Sequence, residues 1–358
     1  MIKPYGVVGL VPTTWGIKTR SDIMKNIDHL EELSHGALWL SSLDLPVRLL
    51  VLPEGALQGF NDEALDLPIA EFLKDGAIDI PGPETDRLGE LAKSQNVYIM
   101  AQAKTRDPDW PGIMFNVGFV IDPKGNIILK HHKMSSLLPC ERSASPHDLY
   151  DEWIKKYGRS LQSFWPVVDT EIGRLGVMMA MEGNFPENGR GLALNGAEVV
   201  YRASLPTPFT ENDLFEISNR ARALENNFYV VAPNIGSMYM FPTTQAPIDC
   251  GGGRSLIVDY KGKIVGKQED TNGSTYVYGV IDIEAMRHHR ANASVSNWLK
   301  DIRTECAQLI YETPIYPKNT YLHEPQGNHK HYRETILNKQ IEKMIERNVF
   351  VPSVYDKQ

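Results

Sequence analysis

The chain has 358 residues, 42% of them hydrophobic and 23% charged, enough to bury a large core and to exclude disorder as a description of the whole. Its formal net charge of -8 argues against a nucleic-acid binder, whose phosphate contacts need a basic surface. The odd count of three cysteines (Cys140, Cys250 and Cys306) shows no CxxC spacing, which fits a reducing compartment and gives neither a disulfide framework nor a zinc site.

In chain order, the N-terminal apolar run is too short for a secretory signal, and no stretch approaches the roughly 18 apolar residues of a membrane span. A cytoplasmic location, with no membrane partner, is the expectation. Short runs rich in Val, Ile and Leu alternate with helix-like segments. A strand is expected at 6–11, a helix at 23–40, a strand at 48–52, a helix at 85–95 and strands at 97–103, 115–121 and 126–129. A second series follows, with strands at 175–179, 199–203, 229–232, 255–260 and 275–281 and helices at 188–195 and 211–226. The turn signals Asp122-Pro-Lys-Gly-Asn126 and Asp259-Tyr-Lys-Gly-Lys263 each separate two strand-like runs, at comparable places in the two series. An α/β fold of two similar layers packed as a sandwich is expected, as one domain over 1–291. Residues 292–358 are rich in Tyr, Pro, His and charge and read as an extension. Its Leu337, Ile341, Met344 and Ile345 share a helical face that could dock on the parent domain or on a neighbouring subunit.

Chemistry-bearing residues are sparse. Glu54 follows a buried strand and Pro53, where α/β proteins place their sites, and a carboxylate removed from water there suits general-base work; a helix cap or surface acid has the same local signature. Lys133 closes the run Ile-Ile-Leu-Lys-His-His-Lys, where most lysines are solvated. Gly251 to Gly253 lack the Lys-Ser/Thr of a phosphate-binding loop. The adjacent pairs His131-His132 and His288-His289 point to different faces and make poor metal sites; solvated or salt-bridged histidines are the expectation.

The order Pro53-Glu54-Gly55 with Gln58-Gly59-Phe60, then a strand ending at Lys133, then Gly176-Val-Met-Met-Ala180-Met-Glu182-Gly-Asn-Phe-Pro-Glu187 resembles the nitrilase superfamily of carbon-nitrogen hydrolases over about residues 5 to 290. The resemblance implies a four-layer αββα sandwich, catalysis without metal or organic cofactor, and homo-oligomers in which the extension is an arm between subunits. Carried over by position, Glu54 matches the general base, Lys133 the cation beside the nucleophile, and Glu141 the second glutamate. The eight-residue spacing from Lys133 to Glu141 resembles the aliphatic amidase and formamidase branch.

The departure falls at the nucleophile, where the family's sulfur is replaced by Ala180 while the downstream context is kept. As written, the polypeptide forms no thioester. It reads as a Cys-to-Ala variant of an active amidase; the competing reading is a non-catalytic protein that binds a small amide or serves as a structural subunit. Expected substrate contacts are Gly55, Leu137, Met181, Glu182, Ser204 and Tyr239. Gly55, Leu137 and Ser143 stand where the small-amide enzymes typically carry large rings, so a substrate bulkier than acetamide, with an apolar or aromatic acyl part, is expected unless other rings refill the space. The segment 143–165 is expected to cover the pocket mouth. A nitrile substrate is the alternative, because Val167 to Gly176 and the Glu two places after Ala180 look more like the nitrilase branch.

Overall fold

The computed structural model describes residues 1–136, 140–205, 213–247, 253–269 and 273–357. Leu137, Cys250, Gly251 and Gly252 lie outside the described residues.

Among the described residues fourteen strands form: β1 Tyr5–Val11, β2 Thr13–Trp15, β3 Val47–Val51, β4 Tyr98–Arg106, β5 Met114–Ile121, β6 Ile127–His132, β7 Val167–Thr170, β8 Gly173–Val177, β9 Val199–Tyr201, β10 Tyr229–Ala232, β11 Ser237–Tyr239, β12 Ser255–Val258, β13 Ile264–Gln268 and β14 Thr275–Ile281. Twelve build two six-stranded sheets, ordered β14-β1-β3-β4-β5-β6 and β7-β8-β9-β10-β12-β13. Both orders carry the same sequence of pairings: antiparallel, parallel, parallel, antiparallel, antiparallel. The two sheets thus follow one plan, with the correction that β14, expected in the second series, crosses over to pair with β1 and completes the first sheet; each turn signal closes a hairpin, β5-β6 and β12-β13.

The inner strands of each sheet are buried on both faces, so their sequences read as near-continuous apolar runs, while the edge strands β6, β7, β13 and β14 are partly exposed. Alternate residues still divide between layers. Val7, Leu49, Val51, Val199 and Val231 face the space between the sheets, while Val8 and Leu50 pack under the helices Ile23–Ser41 and Pro83–Gln95. Val200, Val230 and Leu256 pack against the helices Pro186–Leu194 and Leu214–Asn226. The result is the expected αββα sandwich.

The extension folds back on its own chain. Its Tyr321, Tyr332 and Ile336 are buried with Phe115, Val117 and Trp153 in a fourth apolar cluster, and Gln326 bonds both backbone groups of Met114 and the carbonyl of Arg142. Of the helical face expected to dock, Leu337 and Ile341 remain exposed.

Candidate active site

The strand ends of the first sheet deliver the acid and the cation. After β3, the backbone turns through Gly55, which adopts φ +77°, and the Gly55 N–H donates to the side chain of Gln102 on β4 at 2.8 Å. That turn leaves the Glu54 side chain pointing inward and 4% exposed. After β6, Lys133 is 1% exposed and donates to Glu54 Oε1 at 3.3 Å and to Glu141 Oε2 at 2.5 Å. Asn116 on β5 spans the two acids, its Nδ2 donating to Glu54 Oε1 at 2.9 Å and to Glu141 Oε1 at 3.1 Å. Gln102 Nε2 in turn donates to Asn116 Oδ1 at 2.6 Å, which fixes the amide's orientation. The Ser143 hydroxyl completes the coordination of Glu141 Oε1 at 2.6 Å.

The electrostatics follow from this closure. Burial alone would lower the Lys133 pKa, but Glu141 and Glu54 outweigh it and hold the ammonium well above its ordinary value. Burial would raise Glu141; the charge of Lys133 and the bonds from Lys133, Ser143 and Asn116 outweigh it and keep the carboxylate below its ordinary value. A buried cation between two buried acids is thereby kept charged at neutral pH.

The second sheet delivers the elbow. After β8, Met178 N–H donates to Tyr201 O at 2.8 Å and Ala180 N–H to Ala203 O at 2.5 Å, and the chain then breaks into the short turn Ala180–Asn184. Ala180 takes φ +41°, a left-handed conformation that side-chain-bearing residues rarely adopt. Two groups hold the turn. Arg202 Nε donates to Ala180 O at 2.9 Å, while its Nη1 reaches Asn219 Oδ1 at 2.9 Å. Burial pushes the Arg202 pKa down to about 10, against the pull of Glu54. Gly183 makes room for this guanidinium: a Cβ there would lie 2.2 Å from its carbon and would push Arg202 off the Ala180 carbonyl. From the other side Glu182 accepts from Met179 N–H at 2.6 Å, Met134 N–H at 2.5 Å and His131 Nε2 at 2.9 Å.

A cavity of about 470 Å³ opens over these groups. Glu54, Lys133, Glu141, Ala180, Met181 and Ser204 all border it, so the four positions matched to catalysis and two of the expected contacts share one wall. Three expected contacts do not border it. Gly55 is covered by the Phe60 ring, which lies 2.2 Å from where its Cβ would be; the ring expected after the general base is replaced by one five residues on, so Gly55 opens no volume. Glu182 is fully buried and spends its carboxylate on backbone and His131. Tyr239 stacks on Trp15 at 5.9 Å between ring centroids, in the two-stranded β2-β11 sheet. The segment expected to cover the mouth also lies elsewhere: its helix Tyr150–Tyr157 puts Trp153 against Phe115 and His132.

Sequence reasoning missed several wall residues. Phe60 and Glu63 come from the short helix region after the general base, Leu214 and Phe215 from the helix that follows β9, and Cys140 and His329 from the loop and the extension. Periodicity marks Phe215 only as apolar, and nothing local marks His329 as a neighbour of residue 140, whose carbonyl its ring contacts at 2.9 Å. His131 is buried and paired with Glu182, and His132 is half-buried and paired with Asp107 at 3.7 Å, the salt-bridged form of the two expected. Among the described residues no group of three or more His, Cys, Asp or Glu could hold a metal ion, and no helix is long and apolar enough to cross a membrane.

Comparison with known proteins places this geometry. The family model for carbon-nitrogen hydrolases matches residues 7–291. A formamidase of Bacillus cereus is 31% identical over 232 residues, covering 63% of this chain and 61% of the relative, and a formamidase of Bacillus anthracis matches equally. The match therefore spans about three fifths of those relatives' length. Among solved structures, a carbon-nitrogen hydrolase from Helicobacter pylori superposes with a TM-score of 0.62 at 18% identity, covering 87% of this chain and 99% of the other. Yeast Nit3, described as a member of branch 10 of the nitrilase superfamily, gives 0.60 at 20% identity, covering 82% and 96%. A cysteine-to-alanine mutant of the Nesterenkonia AN1 amidase gives 0.59 at 16% identity, covering 86% and 97%. At these identities the structures speak for the fold, and the family model and the formamidases for descent: the chain belongs to the carbon-nitrogen hydrolase family.

Proposed function

We propose that this chain is the framework of an amidase that hydrolyses a linear carboxamide bulkier than acetamide to a carboxylic acid and ammonia, through a thiol at position 180 that the sequence lacks. The observation that carries the reading is the convergence of Glu54, Lys133 and Glu141 in one hydrogen-bonded cluster on the wall that also holds Ala180. With a cysteine there, Glu54 takes the thiol proton and the thiolate attacks the amide carbon. Lys133 stabilises the oxyanion of the tetrahedral intermediate. The intermediate collapses to a thioester as Glu54 returns its proton to the departing ammonia, and a water oriented by Glu141 then releases the acid. The cavity's size and its apolar walls at Phe60, Met181, Leu214 and Phe215 support an apolar acyl part.

The test is Ala180→Cys followed by ammonia release over a panel of amides and nitriles. Turnover of amides larger than acetamide to the acid and ammonia, with one water consumed per amide, is expected; conversion of a nitrile to the acid and ammonia, with two waters consumed, would favour the nitrilase reading. Inertness on the whole panel would favour the second reading, in which the chain binds a small amide without cleaving it. That reading draws on Ala180 itself, whose methyl group has no nucleophilic atom.

Homo-oligomerisation belongs to the same proposal. Leu309, Ile310 and Val351 in the extension are 70%, 68% and 91% exposed, which supports a role in contacts between subunits beyond the part that packs on its own chain. Light scattering on a chain ending at 291 tests it; an unchanged assembly would contradict the arm role.

A further inference from the structure

The Glu141 side chain is held by Lys133, Asn116 and Ser143, but its backbone needs a separate hold. Glu141, Arg142 and Ser143 lie outside any helix or strand, and a segment without regular backbone pairing moves unless other contacts fix it. Two contacts come from within the family-matched part of the chain. The buried Arg142 guanidinium donates to the carbonyls of Asp62, at 2.9 Å, and Leu67, and Ala144 N–H donates to Met114 O at 2.8 Å.

The carbonyls on either side of Glu141 accept from the extension. Cys140 O accepts from His329 Nε2 at 2.9 Å, and Arg142 O from Gln326 Nε2 at 2.8 Å and the Tyr332 hydroxyl at 3.4 Å. Gln326 also accepts from Met114 N–H at 2.7 Å and donates to Met114 O at 3.1 Å. Met114 opens β5, the strand that carries Asn116. One amide side chain therefore joins the strand that delivers Asn116 to the loop that delivers Glu141. His329 is fixed in turn at its backbone, whose N–H donates to Asp66 at 3.3 Å, and it borders the catalytic cavity. Tyr321 and Tyr332, bonded hydroxyl to hydroxyl and buried with Phe115 and Trp153, anchor the segment that carries both residues.

We propose that Gln326 and His329 are positioning residues for Glu141, so that the extension beyond the family-matched residues is a working part of its own chain's catalytic site. They touch no reacting atom. They hold the backbone on both sides of an acid whose carboxylate must stay within hydrogen-bond reach of Lys133 and of the water it orients, and a displacement of about 1 Å is enough to cost such a group most of its effect. Their effect on turnover rests on the amide reading, in which Glu141 orients the water that releases the acid; their effect on the loop does not.

The experiment uses the full chain in two backgrounds. With Ala180 in place, hydrogen exchange read by mass spectrometry compares the parent with Gln326→Ala, His329→Ala and the double variant. Exchange in peptides covering residues 140–145 is expected to quicken about five-fold or more, the loss of one hydrogen bond's worth of protection, with peptides from β8 to β10 unchanged, which shows the fold intact. His329→Gln, whose side-chain amide can reach the same carbonyl, is expected to restore the parent rate. In the Ala180→Cys background the double variant is expected to lose about ten-fold or more in kcat, with KM falling alongside and the thioester accumulating on the intact protein, because the water-dependent step alone is slowed. Glu141→Gln is expected to do the same. Unchanged exchange at 140–145 in the double variant overturns the proposal, and so does unchanged turnover in an active Ala180→Cys background. Loss of turnover without accumulated thioester also overturns it, being the mark of general unpacking. Faster exchange in a chain whose Ala180→Cys form is inert on every amide supports the hold on the loop and overturns the amide reading instead.

Discussion

His131 Nε2 lies between the two oxygens of the Glu182 carboxylate, 2.9 and 3.0 Å away, with both side chains 1% exposed. The same carboxylate also accepts from Met134 and Met179, so one side chain clamps the chain on both sides of Lys133 to the strand that ends in the elbow. Glu182→Gln places an NH2 group against N–H donors and strands at least one of them. Buried donors left without a partner cost about 1–3 kcal/mol each. Urea unfolding is expected to show a loss of about 1–3 kcal/mol for each donor stranded, together with reduced turnover in the Ala180→Cys background.

Asn116 touches both of the acids proposed for catalysis, Glu54 and Glu141, so its loss should resemble the loss of the base more than a change in binding. In the Ala180→Cys background, Glu54→Gln is expected to lower kcat by about 10²–10⁴, the usual contribution of a positioned acid or base. Asn116→Leu should lower kcat by a smaller factor with little change in KM. A kcat unchanged in Glu54→Gln would remove that residue from the mechanism.

Phe60 fills the space beside Gly55 and borders the cavity. Phe60→Ala is expected to move substrate preference toward longer or branched amides by ten-fold or more in kcat/KM. If the preference stays put, the acyl group points away from this wall.

Glu63 shares the buried ammonium of Lys104, at 2.8 Å, with Asp62, at 2.7 Å. Burial pushes the Glu63 carboxyl up to about 8, with Lys104 pulling the other way. A raised acid stabilises the fold fully below its ordinary value of about 4.3, and that contribution is lost as pH rises through the folded-state value. Stability should therefore decline from mildly acidic pH to about pH 8. Glu63→Gln should flatten the decline and gain about 1 kcal/mol or more at pH 8, one pKa unit being ~1.4 kcal/mol. Glu141 behaves oppositely: its lowered value means its contribution disappears only in acid. Urea midpoints from about pH 3 to pH 9 check both signs.

Much of the architecture was legible because the inner strands are buried on both faces and the helices between them are long. The three-residue strands β2 and β11 were not, since three residues carry no periodicity. Glu54, Lys133 and Glu141 were found through their order and spacing, a signal no one of them carries alone. Glu182 was visible as a position but misread as a substrate contact, because its role depends on the Met134 and Met179 amides, which sequence cannot bring together. Gly55 was misread for a related reason: a missing ring was noticed, while the ring at Phe60 that replaces it is brought back only by the turn at φ +77°. Asn116 and Arg202 gave no signal, as one sits in a continuous apolar strand and the other just past one.

The duplicated sheet plan has a consequence for how the chemistry came to exist in a single chain. Glu54, Lys133 and Glu141 belong to the first copy, while Ala180 and the arginine that holds its carbonyl belong to the second. Neither copy by itself owns both an acid-base pair and a seat for a nucleophile. In the Ala180→Cys background, two fragments divided near the exposed Gly158, the second of which also carries β14 of the first sheet, should therefore each be chemically mute, and any activity recovered on mixing them would count reassembled sandwiches one for one.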